Sequence, residues 1–176
     1  MSNSLRIAIA GLGTVGAGTV QVLTEHRDLI AQRSGRPVDI IAVSAKSRTK
    51  DRGVSLETYD WYDDPVAMAR EADVELVVEL IGGEDGPAKA VCEAAIAAGR
   101  HVVTANKALV AMHGGALAAA AEAAGVSLNY EAAIAGGIPI VKALREGLAG
   151  NAVTRVYGIL NGTCNYILTE MREERL

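Results

Sequence analysis

The chain has 176 residues, half of them hydrophobic, a net charge of −4, and almost no aromatic side chains. That length holds one full domain and part of another, and the acidic balance excludes general nucleic-acid binding, which needs a basic face. No apolar run approaches the roughly 20 residues that cross a bilayer, Met1-Ser2-Asn3-Ser4 lacks the basic and apolar start of a leader, and two cysteines, Cys92 and Cys164, are too few for a disulfide framework or a thiolate metal site. The expectation is a soluble cytoplasmic protein with no nucleic-acid or membrane partner. A core without Phe must be built from Ala, Val, Ile and Leu, which suits a parallel sheet covered on both faces.

Strand-like and helix-like runs alternate along the chain. Leu5–Ala10 is short, apolar and followed by glycines. Gly13–Ala31 reads as one helix, with Val15, Thr19, Val22 and Leu23 on one face. Val38–Ala45 is a second strand, and a short helix begins near Pro65, a residue favoured in a first turn. Val74–Leu80 is a buried strand running into Ile81-Gly82-Gly83. Pro87–Ala98 is helical, His101–Thr104 a strand, Gly114–Ala124 an Ala-rich helix and Val126–Glu131 a strand. This alternation predicts an α/β fold, a doubly wound, Rossmann-type and mostly parallel sheet over residues 1–131. Residues 132–176 read as the beginning of a second, α+β domain: a helix from Pro139 through Leu148, a strand at Val153–Leu160 and a helix at Thr163–Leu176. That last helix has no terminating glycine and reads as cut short.

Gly11-Leu12-Gly13-Thr14-Val15-Gly16 matches G-x-G-x-x-G directly after the first strand and opens the first helix. The first glycine permits the tight turn, the second lets backbone approach a pyrophosphate, and the third lets helix and strand pack closely. Helical N–H groups then face the phosphates. An enzyme that uses NAD usually carries Asp or Glu at the end of the second strand. Here Val43-Ser44-Ala45-Lys46-Ser47-Arg48 has no acid, and Asp39 lies too early. Lys46 and Arg48 are placed to meet a 2′-phosphate, with Lys50 and Arg52 extending the positive field. NADP is therefore the expected cofactor and NAD the alternative. A solvated basic loop is the bland reading of the same residues.

Thr104-Ala105-Asn106-Lys107 follows a strand and should lie on the sheet's carboxyl edge, where ligands of open α/β sheets bind. A lysine there can deliver a proton to a carbonyl oxygen, although a lone lysine after a strand is by itself a solvated charge. Five blocks in order, Gly11–Gly16, Glu79–Gly83, Val102–Leu109, Tyr130–Ile140 and Asn161–Leu168, resemble the signature blocks of homoserine dehydrogenases and span nearly the whole chain.

The resemblance implies reversible NAD(P)-dependent interconversion of L-homoserine and L-aspartate 4-semialdehyde, a step toward threonine and methionine. It makes Lys107 the catalytic candidate, and together with the readings of the glycine turn and basic loop above, Gly11, Leu12, Gly13, Thr14, Val15, Gly16, Lys46, Arg48, Ile81, Gly82, Thr104 and Lys107 form the expected cofactor-binding set. It also implies a monovalent cation such as sodium, held largely by backbone oxygens around Glu131, Ile134, Gly136 and Ile138. A small amino-acid substrate and a homodimer follow from the same resemblance. The family's further substrate-binding residues lie beyond the last block, so this chain is expected to bind cofactor without full activity.

Two rival readings stand beside it. Cys164 before Asn165 suggests the thiolate of a cysteine-dependent semialdehyde dehydrogenase, which needs a lowered thiol pKa. In homoserine dehydrogenases Thr commonly takes this place, and no histidine lies near in sequence. The other rival is a non-catalytic NADP-binding module. Cys92 shares a helical face with Ala88, Val91 and Ala95 and reads as core. His26, His101 and His113 have no metal-ligand spacing. Tyr59, Trp61 and Tyr62 are positioned to cover a sheet edge.

Overall fold

Side chains of successive strand residues point to opposite faces, and β1 (Leu5–Ala10) uses this to sort the core. Ile7 and Ile9 join Leu12, Val43 and Val78 on one side, whereas Ala8 and Ala10 join Ala42, Val77 and Val102 on the other. The computed structural model describes residues 4–158 and 161–174. It divides into two units, Met1–Lys142 and Ala143–Leu176.

In the first unit β1, β2 (Val38–Ser44), β3 (Asp60–Tyr62), β4 (Leu76–Glu79), β5 (His101–Thr104) and β6 (Leu128–Asn129) form one sheet in the order β3-β2-β1-β4-β5-β6. Every pairing is parallel. This is the doubly wound order, and the direction of winding reverses between β1 and β4, where a crevice opens at the carboxyl ends of the strands. The α/β expectation holds.

The two faces are covered differently. Helices α3 (Pro65–Glu71), α4 (Pro87–Ala97) and α5 (Lys107–Ala124) place Met68, Val91, Cys92, Leu109 and Leu117 against the alanine side of β1. Small strand residues there let the helices approach closely. On the isoleucine side α1 (Thr14–Glu25) supplies Val20. Burying a side chain such as Ile9 or Met68 contributes about 1.5–3 kcal/mol. Burial raises the Cys92 thiol pKa to about 12, with the Glu79 and Glu93 carboxylates adding to the effect, so this cysteine is inert core.

Several expected elements differ. The long first helix breaks at His26 into α1 and α2 (Arg27–Ser34). Helix α2 buries no residue, and Arg27 is drawn to Asp39 on β2 at 2.7 Å, so nothing holds the two helices on one axis. Helix α5 starts seven residues before the expected Gly114, because the Asn106 side chain accepts the Leu109 N–H at 3.1 Å and caps it. The last strand shrinks to β6, and Glu131 instead opens α6 (Glu131–Ala135). Asp60–Tyr62, read only as an edge cover, pairs with β2 as a strand in its own right.

The helix expected from Pro139 becomes α7 (Ile140–Lys142), at the end of the first unit, and a π-helical turn at Ala143–Gly147, at the start of the second. No strand forms over Val153–Gly158, and the expected end of that strand, Ile159-Leu160, lies outside the described residues. Helix α8 (Thr163–Glu173) starts where expected and ends at Glu173 with Glu174 as its C-cap, while Arg175-Leu176 lie outside the described residues.

Carboxylates tie down the amino edge of the sheet. Glu75 accepts from the Arg6 backbone N–H at 3.1 Å and from the Arg36 guanidinium at 3.1 Å, and these bonds, in that order, hold its carboxyl below the ordinary range. The Ser4 hydroxyl and then Arg27 do the same for Asp39.

Candidate functional site

The glycine turn is built as the three-glycine argument requires. Gly11 adopts φ +97°, and a Cβ there would lie 2.5 Å from the Leu80 carbonyl oxygen. Its N–H donates to the Ser44 carbonyl at 2.8 Å, which ties the turn to β2. A Cβ on Gly16 would stand 1.9 Å from the Gly11 oxygen, so helix and turn touch there. Gly13 is different: nothing lies within 4 Å of where its Cβ would be. It caps α1 without any side-chain hydrogen bond, and Thr14 and Val15 beside it are exposed. No side chain therefore caps the backbone donors of the first turn.

That space is a cavity of about 440 Å³ lined by Gly11–Gly13, the Ser44–Ser47 segment, Lys50, Arg52, Leu80 and Ile81. It lies at the reversal point between β1 and β4. Ser44, at the strand end where an acid would stand, is 1% exposed, and its hydroxyl has no hydrogen-bond partner among the described residues. Lys46 and Lys50 line the cavity, and no ion pair engages either among the described residues.

Arg52 plays a role that charge counting missed. Its guanidinium donates to the Leu12 carbonyl at 3.0 Å, the Lys50 carbonyl at 2.7 Å and the Ser47 carbonyl at 2.5 Å, so it staples the basic loop to the glycine turn. Arg48 lies 6.0 Å from the Trp61 ring centroid and Arg52 5.9 Å. Arg48 is therefore stacked on β3 and absent from the cavity lining, while Lys50 lies within it. The edge strand carrying Trp61 thus anchors the loop.

Farther along the carboxyl edge, Thr104 and Asn106 are buried and Lys107 is exposed. Lys107 opens α5, where a cation runs against the helix dipole and costs a few tenths of a kcal/mol or more. Stability does not account for its placement. Glu79, at the end of β4, is fully buried; it accepts from the Ile81 and Gly82 N–H groups at 2.7 and 3.3 Å and from the Thr104 hydroxyl at 2.6 Å. Its position in a signature block was legible in the sequence, but its role was not.

The Glu131–Ile138 turn is compact. The Glu131 carboxylate accepts from the Val141 and Lys142 N–H groups at 2.9 and 2.8 Å, Gly136 adopts φ +61°, and the Ile138 carbonyl accepts from Ile140 at 2.8 Å. Ile134 and Ile138 are exposed. Cys164 lies in the first turn of α8, exposed, with its N–H donating to the Asn161 side chain at 2.7 Å.

These features have close relatives. The family model for the NAD-binding domain of homoserine dehydrogenase matches residues 11–131, and a second homoserine dehydrogenase model matches residues 139–176. The chain is 45% identical over 172 residues to the homoserine dehydrogenase of Pseudomonas aeruginosa, covering 97% of this chain and 38% of that protein. It is 46% identical over 170 residues to the enzyme of Corynebacterium glutamicum, covering 96% of this chain and 38% of that one. The crystal structure of a homoserine dehydrogenase from Thiobacillus denitrificans matches with a TM-score of 0.85 at 43% identity, over 98% of this chain and 40% of that chain. The chain thus spans about two fifths of the length of the curated relatives it matches. On the strength of the doubly wound sheet, the three-glycine turn and these matches, the chain belongs to the homoserine dehydrogenase family and carries its NAD(P)-binding domain.

Proposed function

We propose that this chain is the cofactor-binding part of an enzyme that interconverts L-homoserine and L-aspartate 4-semialdehyde with NADP, in the cytoplasmic route to threonine and methionine. The observation that carries the cofactor assignment is the cavity itself. Uncapped helix donors stand at Gly13, an unpartnered buried hydroxyl stands at Ser44, and two lysine ammonium groups replace the usual acid. The cradle suits a pyrophosphate, because Gly13 leaves room where any side chain would project.

Within this reading Gly11, Leu12, Gly13, Thr14, Val15 and Gly16 hold the pyrophosphate. Lys46 takes the 2′-phosphate, with Lys50 beside it and Arg48 adding charge from the Trp61 platform. Ile81, Gly82 and Thr104 bound the nicotinamide side. The bound nicotinamide supplies the hydride chemistry. Lys107, exposed at the head of α5, holds a proton for the alkoxide oxygen that develops at the former aldehyde carbon. The backbone oxygens around Glu131, Ile134, Gly136 and Ile138 are hard donors of the kind that suits a monovalent cation such as sodium. The remaining substrate contacts come from sequence beyond this chain, and the complete enzyme acts as a homodimer.

Calorimetric titration with NADPH and NADH tests the cofactor assignment. NADPH is expected to bind about tenfold or more tightly, and the double substitution Lys46→Ala/Lys50→Ala to remove that advantage, since a lost charge-assisted bond costs about 1.5–3 kcal/mol. Equal affinities untouched by the substitutions would remove NADP from the assignment.

A further inference from the structure

Glu79 is a fully buried carboxylate whose hydrogen-bond partners are all neutral donors. A charge in that setting is costly, and an apolar side chain would fill the same space more cheaply. What the carboxylate gains is a set of connections. The Asn106 N–H donates to the Thr104 hydroxyl oxygen at 3.0 Å, the Thr104 hydroxyl donates to Glu79 Oε2 at 2.6 Å, and Glu79 Oε1 accepts from Ile81 and Gly82. The Asn106 side chain closes the circuit. Its Oδ1 caps α5 through Leu109, and its Nδ2 donates to the Gly83 carbonyl.

A ring of hydrogen bonds therefore joins two segments that are 25 residues apart in the chain, measured from Glu79 to Thr104. One is the Ile81–Gly83 loop, whose first residue lines the cavity; the other is the head of α5, where Lys107 directly follows Asn106. The ring has a direction. The Thr104 hydroxyl has one proton, and it is spent on Glu79 while its oxygen accepts from Asn106. A glutamine at position 79 would present an NH₂ group to that hydroxyl and break the sequence of donors, although its shape is the same.

We propose that Glu79 is a positioning residue which, through Thr104 and Asn106, fixes the spacing between the cavity wall at Ile81 and Lys107. The inference rests on the reading of cavity and lysine given above. It concerns two carboxyl-edge loops whose coupling can be measured without turnover.

The test uses this chain and three variants, Thr104→Val, Thr104→Ser and Glu79→Gln, with residue-resolved amide exchange and NADPH titration on each. Thr104→Val is expected to raise exchange about tenfold at Ile81 and Gly82 as well as at Asn106 and Leu109, and to weaken NADPH about tenfold, the effect of one lost bond to a charged group. Thr104→Ser keeps the hydroxyl and should return both readouts to the wild-type range. Glu79→Gln should resemble Thr104→Val despite its conserved shape. Exchange that rises only at Asn106 and Leu109, or that rises in both loops with NADPH affinity unchanged, overturns the proposal. Should Thr104→Val fail to fold, Glu79→Gln against Thr104→Ser decides the same question. A wild-type chain that binds no NADPH would sink the cofactor reading, and amide exchange would still report whether the two loops are coupled.

Discussion

The two units of this chain use similar residues to different ends. In Met1–Lys142, apolar residues of five strands and five helices reach zero or near-zero exposure, among them Ile9, Met68, Leu109 and Val102. In Ala143–Leu176 none of the described residues is buried; Tyr157 is 90% exposed and Leu168 63%. Val153, Val156 and Tyr166 are exposed as well, so the second unit has apolar side chains but no core among its described residues. The difference lies in the sheet. Parallel strands offer two opposite faces on which helices can bury a stripe, whereas a single 11-residue helix is marginal by itself.

Gly16→Ala should do the most damage to the first unit, because the added carbon meets the Gly11 carbonyl at 1.9 Å and neither backbone can yield. A loss of about 4 kcal/mol in denaturant unfolding is expected, with NADPH binding abolished. A smaller loss, with binding kept, would mean that the turn is softer than its geometry implies. Leucine truncation sharpens the contrast between the units. Leu109→Ala should cost about 3 kcal/mol, and Leu168→Ala less than about 0.5 kcal/mol. Equal losses in thermal unfolding would mean that the second unit buries its helix after all.

The effect expected from acid is also small. Glu75 and Asp39 have folded pKa values below their ordinary 4.5 and 3.8. Their stabilisation is therefore fully present above those values and is lost as the pH falls through the depressed ones. Both groups are solvent-screened, so the loss should stay below about 1 kcal/mol each. Glu75→Gln should flatten the fall in melting temperature below pH 4.5; an unchanged slope would show that the amino-edge ties contribute nothing.

Much of the site could be read directly. The glycine turn needed only its strand and helix on either side to be meaningful, and each of its glycines has the surroundings that the motif implies. The absent acid at Ser44 was visible, but which basic residues face the cavity was not. Arg48 and Lys50 are two positions apart in a loop without period, and a strand too short to announce itself, Asp60–Tyr62, decides that Arg48 lies over Trp61. Arg52 looked like one more charge, and its three carbonyl partners come from segments that periodicity cannot bring together.

The sequence by itself determined the alternation of strands and helices, the parallel doubly wound sheet and the place of the dinucleotide turn. These depend on local period, on glycine's freedom and on the handedness of crossovers, all of which act over short stretches of chain. Only the tertiary structure decided which cations line the cavity, and that Glu79 joins the loop after β4 to the head of α5. Those outcomes depend on contacts between residues distant in sequence. A donor or acceptor has no period and acquires a partner only when the strands that carry both are laid side by side.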